Sequence, residues 1–187
     1  MNRHTLLLIF VLLGYSATEA NAQMRPTYTL LEAGGILGLS GSGARDPMHG
    51  YQFHFVFGRN FYDRAYLGLG IGSDVYRGRS TLADGRRSNS RINTLPIFVD
   101  FRAPFADVGM LGRLGAMANV GYAPGIGGDY FRGFIAKGGL TYSHLLAERS
   151  DLLFSAGYGF QQFDSRFAEY GAFHQHSLFI TIGLFVH

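Results

Sequence analysis

The sequence of 187 residues contains no cysteine. This absence excludes a small secreted fold held by disulfides, and it excludes an acylated lipoprotein, whose lipid is carried by a cysteine at the cleavage site. After the first 22 residues there is also no apolar run of about 18 residues, which excludes a later membrane-spanning helix. No linker, charge block or low-complexity tract divides the rest, so one domain is expected.

The first residues have the pattern of an export signal. A charged start at Arg3 and His4 is followed by the apolar run Leu6 to Leu13 and by the small residues Ala20-Asn21-Ala22. This order is typical of a secretory signal peptide, which predicts cleavage before Gln23. A membrane anchor is the alternative, but the apolar run is too short to span a bilayer. We therefore expect a cleaved signal peptide over residues 1–22 and an exported domain over residues 23–187.

Aromatic residues and glycine are abundant in the chain. Phe and Tyr number 17 and 11, and Gly numbers 27 of 187, about twice the usual ~7% share. Aromatic girdles and inward glycines are typical of a small membrane β-barrel, whose interior barely accommodates its own side chains. A soluble β-sandwich or a disordered fibre is the alternative for such a composition, and the regular apolar alternation of the chain argues against disorder.

The last twelve residues, His176 to His187, alternate between an unbroken aliphatic row and a mixed row of polar, small and aromatic residues. Aliphatic residues occupy one face from Leu178 to Val186, while Phe179 and Phe185 lie on the other. A tilted transmembrane strand needs only about 9–11 residues, so this segment is long enough for a strand and too short for a spanning helix. We expect the aliphatic face to point to lipid; a slip of one residue would reverse the two faces.

Seven further segments show the same period of two. The eight predicted strands are Tyr28–Leu39, Tyr51–Phe57, Ala65–Tyr76, Arg91–Arg102, Gly109–Tyr122, Phe131–His144, Leu152–Phe163 and His176–His187. The connections at 40–50, 77–90, 123–130 and 164–172 are longer or richer in glycine and charge, whereas those at 58–64, 103–108 and 145–151 are compact. Short periplasmic turns, long outer loops and an even strand number are features of outer-membrane barrels. The predicted fold is therefore an all-β, eight-stranded antiparallel up-and-down transmembrane barrel, with the last strand pairing back to the first.

The signal peptide, the eight alternating strands, the run Asn93-Thr-Leu-Pro-Ile-Phe-Val-Asp-Phe101 and the apolar terminal strand together resemble a known family. It is the outer membrane protein β-barrel domain family of small OmpA/OmpX-like barrels, especially the porin-like set of Bacteroidota. The resemblance covers nearly all of residues 23–187. It implies a monomer in the bacterial outer membrane that contacts outer-membrane lipid, is inserted by the barrel-assembly machinery, and has a structural or surface-interaction role through its outer loops.

Charged residues of both signs occur on the faces predicted to point into the barrel. Isolated charges in a lumen would each be costly, so opposite charges should pair. The sequence predicts a lumen charge network that closes the barrel, with a gated polar path as the alternative. Its expected members are Glu32, Asp74, Asp100, Arg102, Arg113 and Lys137.

A second group of charges lies between the third and fourth predicted strands. Five arginines, Arg77, Arg79, Arg86, Arg87 and Arg91, face a single acid, Asp84. Arginine pairs bidentately with phosphate and carboxylate. We hypothesise that this basic outer loop contacts lipopolysaccharide or an acidic surface partner, the alternative being a solvated basic loop. Nucleic acid is not expected as a partner at an outer-membrane loop.

Two further functions are considered for such a barrel: a narrow porin-like channel for small solutes and a lipid A-modifying hydrolase. A hydrolase needs a nucleophile within hydrogen-bond reach of its base. Adjacent His176 and Ser177 point to opposite faces of a strand, and a His-x-Ser spacing is absent. His174 and His176 share a face, but two ligands are too few for a metal site. We therefore expect no enzymatic activity, no catalytic residue, no metal and no cofactor.

Overall fold

The computed structural model of the chain describes residues 27–41, 47–81, 87–126, 130–164 and 172–187. The predicted signal peptide and its cleavage site lie outside these residues. No helix in the described part of the chain is long and apolar enough to cross a membrane. Its regular elements are nine β-strands: β1 (Thr27–Gly41), β2 (His49–Phe61), β3 (Ala65–Thr81), β4 (Arg87–Thr94), β5 (Ile97–Val108), β6 (Gly112–Ala123), β7 (Gly133–Ala147), β8 (Ser150–Asp164) and β9 (Ala172–Val186).

These strands form a closed antiparallel barrel. Consecutive strands pair except that β4 and β5 both pair with β3, and β9 pairs back to β1 with Leu31 opposite Leu184 and Ala33 opposite Ile182. Both edges of the terminal strand are thereby satisfied, as the sequence predicted. A closed barrel leaves no unpaired edge, which is the condition for crossing lipid with strands.

The fourth barrel strand consists of β4 and β5 in continuous register. Asp74 of β3 pairs with Thr94, and Ile71 pairs with Ile97, so no residue is gained or lost across the interruption at Leu95 and Pro96. Proline has no backbone N–H to donate to the ladder. Its carbonyl still accepts a hydrogen bond of 2.9 Å from the Gly72 amide. The nine elements are therefore eight barrel strands, as predicted.

Alternation along each strand separates a lipid face from a lumen face. In β9, Ile180 is 70% exposed while Phe179 and Phe185 are buried. The aliphatic-out register of the terminal strand is thus confirmed. In the first four barrel strands the apolar rows through Leu31, Phe53, Leu69 and Val99 are likewise exposed. Inward glycines provide room where large lumen side chains pass: a Cβ on Gly70 would meet the Phe98 ring at 2.4 Å.

Several predicted boundaries are corrected by the structure. The predicted loop 77–90 is largely a hairpin extension, because β3 continues to Thr81 and β4 begins at Arg87. The fifth predicted strand was expected from Gly109, but 109–111 form a turn and β6 begins at Gly112. The terminal strand begins earlier, at Ala172. The barrel consequently has a turn end, with tight connections at 62–64, 109–111 and 148–149, and an opposite loop end.

The first of these tight turns contains two non-glycine residues in the left-handed region. Tyr62 has φ 58° and Asp63 has φ 56°. The Asp63 carboxylate accepts hydrogen bonds from the Asn60 side-chain amide at 2.6 Å and from the Tyr66 hydroxyl at 3.1 Å. These bonds offset the cost of the turn at Asp63, whereas the Tyr62 side chain is 81% exposed and makes no comparable contribution.

Candidate functional site: a polar layer in the lumen and a basic hairpin

A layer of charged and polar side chains crosses the barrel at mid-height. The ladder register brings its members to one level, because Glu32 lies opposite His54 and because Asp100, Asn119 and Lys137 follow one another across β5, β6 and β7. All point inward and are at most 7% exposed. The layer side chains, as we use the term, are those of Glu32, Gln52, His54, Asp74, Asp100, Arg102, Asn119 and Lys137.

Arg102 holds two of the three carboxylates of the layer. Its Nη2 lies 3.1 Å from Glu32 Oε2 and 3.0 Å from Asp100 Oδ1, and its Nε donates to both oxygens of Asp100. Asp100 also accepts a hydrogen bond of 2.9 Å from the Tyr28 hydroxyl. The guanidinium thus bonds both carboxylates through Nε and Nη2, and its Nη1 donates to Ser155 Oγ at 3.4 Å.

His54 connects this half of the layer to the third carboxylate. Its Nδ1 lies 3.2 Å from Glu32 Oε1 and its Nε2 lies 2.8 Å from Asp74 Oδ1. A neutral imidazole donates from one nitrogen only, so a ring between two carboxylates fits the doubly protonated form. Lys137 completes the arrangement by donating to Asp74 Oδ2 at 2.9 Å and to the Gln52 side-chain oxygen.

The layer is electrically balanced only if that imidazole is charged. Three carboxylates face two permanent cations, Arg102 and Lys137, and a protonated His54 supplies the third positive charge. Burying an uncompensated charge is costly, so neutrality is the condition under which such a layer can be closed off from water.

Apolar side chains pack on both sides of the layer. The cluster toward the turn end includes a set of three rings: Tyr28 lies 5.5 Å from Tyr66 and 5.2 Å from Phe185 between ring centroids. At the loop end, Phe163 lies 5.1 Å from Tyr76 and 4.8 Å from Phe173. The two clusters cover the polar layer from both ends, so that its side chains are almost fully buried among the described residues.

Met48, the last residue before β2, contributes to the loop-end cluster with a buried side chain. Its backbone amide donates to Gln175 Oε1 at 3.1 Å, and Gln175 Nε2 donates to its carbonyl at 2.7 Å. Both residues are 2% exposed. This side-chain amide replaces the strand partner that the Met48 backbone lacks.

The turn end contains two cavities on the side of the layer nearest to Arg102. A vestibule of about 370 Å³ is lined by Asp63, Asp107, Arg113, Asp151 and His187, among others. A neighbouring cavity of about 30 Å³ extends to Arg102 and is large enough for one or two water molecules. Water can therefore approach the guanidinium from this side, but the observed space admits no larger solute.

The structure brings five of the six expected network residues together and places Arg113 elsewhere. Arg113 pairs with Asp107 at 3.2 Å at the vestibule, with side chains 44% and 79% exposed. It lies on the inward row of β6 together with Asn119, but it is the second residue of that strand and therefore lies near the turn end, away from the layer. The sequence reasoning overlooked His54 as an ionic member, although it alternates with Phe53 and Phe55 and therefore lies on the inward face.

The basic hairpin presents two of its five arginines in the described structure. Arg77 and Arg91 are exposed and lie directly opposite each other in the β3–β4 ladder. The side chains of Arg79, Arg86 and Arg87 lie outside the described residues. Neither Arg77 nor Arg91 makes an ion pair with a carboxylate of the described chain.

The histidines near the loop end do not form a nucleophile–base pair. His176 points outward, where its ring stacks on Tyr158 with centroids 5.7 Å apart and its Nδ1 bonds the Tyr158 hydroxyl. Ser177 points inward and donates to the Gly159 carbonyl at 3.4 Å. The two side chains thus lie on opposite faces, as the sequence predicted. No group of three or more His, Asp or Glu side chains within the described ranges is arranged to hold a metal ion.

Comparison with known proteins identifies the fold. No family model and no curated protein matches the chain. Among solved structures, Neisserial surface protein A aligns with a TM-score of 0.52 and 16% sequence identity, covering 86% of this chain and 96% of that chain. Outer membrane protein W of E. coli aligns with a TM-score of 0.46 and 13% identity, covering 86% and 98%. By its closed sheet and its likeness to the first of these structures, the chain has the eight-stranded β-barrel fold of small outer-membrane proteins.

Proposed function

We propose that the protein is an integral outer-membrane barrel with a closed lumen, whose role is a structural and surface-interaction role carried by the loop end. The observation that supports this proposal is the neutral polar layer packed between two apolar clusters. A pore needs a continuous aqueous path, whereas here the charges bond one another and the cavity that reaches Arg102 has room for one or two waters.

The outer surface supports placement in a bilayer. On β2, the outward residues between His49 and Arg59 are all aromatic: Tyr51, Phe53, Phe55 and Phe57. His49 and Arg59, which bound this aromatic row, are about ten residues apart, or about 33 Å along the strand. At a tilt of about 40° that length corresponds to about 25 Å across the membrane, which is the height of the apolar band of outer-membrane barrels.

Single-channel recording in planar bilayers tests the closed lumen. The wild-type protein should give no large stable conductance steps. The double variant Glu32→Ala/Arg102→Ala removes one negative and one positive charge, so that the layer stays neutral while a wide gap opens in it. This variant should show small steps. Large steps from the wild-type protein would contradict the proposal and favour the porin-like alternative.

Location is tested by fractionation of expressing cells. The protein should partition with detergent-solubilised outer membrane and migrate faster on gels before heating than after it, as closed barrels do. A hydrolase role has less support, because His176 and Ser177 lie on opposite faces. Unchanged acylation of lipid A on expression is the expected result, and loss of acyl chains would reinstate the hydrolase.

We propose further that the basic hairpin contacts outer-leaflet glycolipid such as lipopolysaccharide. At the loop end, the exposed arginines extend beyond the apolar band, where anionic head groups lie. Arginine is suited to phosphate because its fork matches the oxygens. Binding of lipopolysaccharide to the wild-type protein, and its loss when all five arginines of the hairpin are replaced, is the expected result. Unchanged binding would leave the hairpin as a solvated basic surface.

A further inference from the structure

One row of outward side chains at the loop end combines three nitrogen-rich groups on three adjacent strands. His49 of β2 lies opposite Arg77 of β3, and Arg77 lies opposite Arg91 of β4. All three are exposed. Directly opposite residues on one face have Cβ atoms about 4.5–5.5 Å apart, and like charges in this position repel each other. The row is therefore unfavourable by itself and becomes favourable when an anion lies between the two arginines.

Neighbouring side chains hold both guanidinium groups in place. The Arg77 Cζ lies 5.8 Å from the centroid of the Tyr51 ring, which gives the group an aromatic platform. The Arg91 Nε donates to Asn93 Oδ1 at 3.2 Å, a bond that does not use its two terminal nitrogens. The row below consists of Tyr51, Val75 and Asn93, which adds no carboxylate that could compete for the arginines.

The position of the row relative to the apolar band favours a membrane-bound ligand. Arg91 lies four residues before Leu95, the first of the outward apolar residues that continue through Ile97 and Val99. His49 lies two residues before Tyr51, where the aromatic band of β2 begins. The row thus lies just beyond the hydrocarbon region, at the level where head-group phosphates are found.

We infer that His49, Arg77 and Arg91 form a phosphate-binding site for the head group of an outer-leaflet glycolipid, with Tyr51 and Asn93 positioning the two guanidinium groups. The inference rests on the proposed membrane location and glycolipid contact, and it assigns that contact to side chains on the barrel wall. Each arginine can offer two donors to a phosphate, and His49 can offer one more.

The test measures binding of lipopolysaccharide by the full-length protein in lipid nanodiscs. Arg77→Gln/Arg91→Gln is the test variant. Arg59→Gln is the matched control, because Arg59 is also exposed, also lies over an aromatic ring, that of Phe61 at 5.7 Å, and occupies the other edge of the band. We expect the test variant to weaken binding at least tenfold and the control to change it less than twofold. Dephosphorylated lipopolysaccharide should bind the wild-type protein about as weakly as it binds the variant.

The unfolding temperature, measured with and without lipopolysaccharide, provides a second test. If the arginines had only a structural role, their replacement would not change the effect of the ligand on this temperature. Without phosphate ligand, the unfolding temperature of Arg77→Gln should equal or exceed that of the wild type, because the repulsion is relieved. With lipopolysaccharide, the wild type should gain stability and the variant should not. Equal losses of binding in the test and control variants would overturn the inference, because they indicate general charge attraction.

Inorganic phosphate distinguishes the two sources of the ligand. If millimolar phosphate displaces the glycolipid fully, or stabilises the wild type as strongly as the glycolipid does, then a free anion is the ligand and the head-group assignment is overturned. Unchanged binding in a test variant that still inserts and migrates as a closed barrel would overturn the site while leaving the closed-barrel proposal intact. Failure to insert or to stay closed would instead count against the proposed function.

Discussion

Lys137 gives the sharpest test of the polar layer. Its Nζ lies 2.9 Å from Asp74 Oδ2, and the two side chains are 5% and 0% exposed. In Lys137→Met the aspartate loses this partner but keeps its bond to His54, and the layer carries one uncompensated negative charge. Removing one partner of a buried pair typically costs about 3–5 kcal/mol. Because the 2.8 Å bond to His54 remains, we expect a loss of about 3 kcal/mol in the free energy of unfolding.

The chain offers a matched control for this change. Arg113 and Asp107 form an ion pair of 3.2 Å between side chains that are 44% and 79% exposed. Exposed pairs contribute about 0–1 kcal/mol, so Arg113→Met should cost less than about 1 kcal/mol. The double variant Lys137→Met/Asp74→Asn restores neutrality, and its loss should fall short of the sum of the single losses by about 1–3 kcal/mol.

Urea titration of the protein folded into lipid vesicles measures these free energies. The sequence contains no tryptophan, so folding is followed by far-UV circular dichroism and by the mobility of unheated samples on gels. If Lys137→Met and Arg113→Met lose similar stability, the layer is not a buried charge network. Additive losses in the double variant would refute the coupling of Lys137 to Asp74.

Three further outcomes follow from the packing and the register. Gly72→Val should lower the free energy of unfolding by at least the ~1–3 kcal/mol of overpacking, because a Cβ there would meet the His54 imidazole at 2.2 Å. Gly35→Val, at a lipid-facing site with nothing within 4 Å, should cost less than half as much in the same titration. Equal losses would contradict the assignment of Gly72 to the inward face. Tyr62→Gly should raise the free energy of unfolding by up to ~1 kcal/mol, since it relieves a left-handed backbone without removing packing; a clear decrease would show that the exposed ring contributes to stability. Because the chain has no natural cysteine, a single introduced cysteine can be labelled selectively. A fluorophore at Ile180→Cys should be quenched by nitroxide lipids, whereas one at Phe179→Cys should be quenched less. Equal quenching at the two positions would refute the aliphatic-out register.

Strand faces could be predicted from the sequence because the period of a strand is two throughout. Once one face of β2 is assigned from its phenylalanines, Gln52 and His54 must point into the lumen, and the structure confirms this. Strand ends could not be predicted equally well. Beyond the apolar band the sequence of the β3–β4 hairpin is polar on both rows, so the alternation disappears although the backbone pairing continues to Thr81 and Arg87.

The partner of each charge depends on depth in the barrel, which alternation does not reveal. Lys137 and Arg113 both lie on inward rows. Lys137 is at the layer because its strand neighbour Asn119 pairs with Asp100, while Arg113 pairs with Asp107 near the turn end. The depth of each side chain in the barrel follows only from the register of every strand pair between it and its partner. The bulge between Pro104 and Ala106 shifts the register of the β5–β6 pair.

Charge balance in the layer shows why this distinction matters for function. The six residues expected from the sequence balance as three negative and three positive charges, but Arg113 is not among those that meet. The structure restores the balance through His54, which lies between two carboxylates and supplies the third positive charge when both ring nitrogens carry protons. His54, counted as neutral in the sequence, thus balances the charge of the layer. It lies on β2, between Glu32 of β1 and Asp74 of β3. Charge balance in the layer therefore needs a protonated His54 in addition to the permanent charges of Arg102 and Lys137.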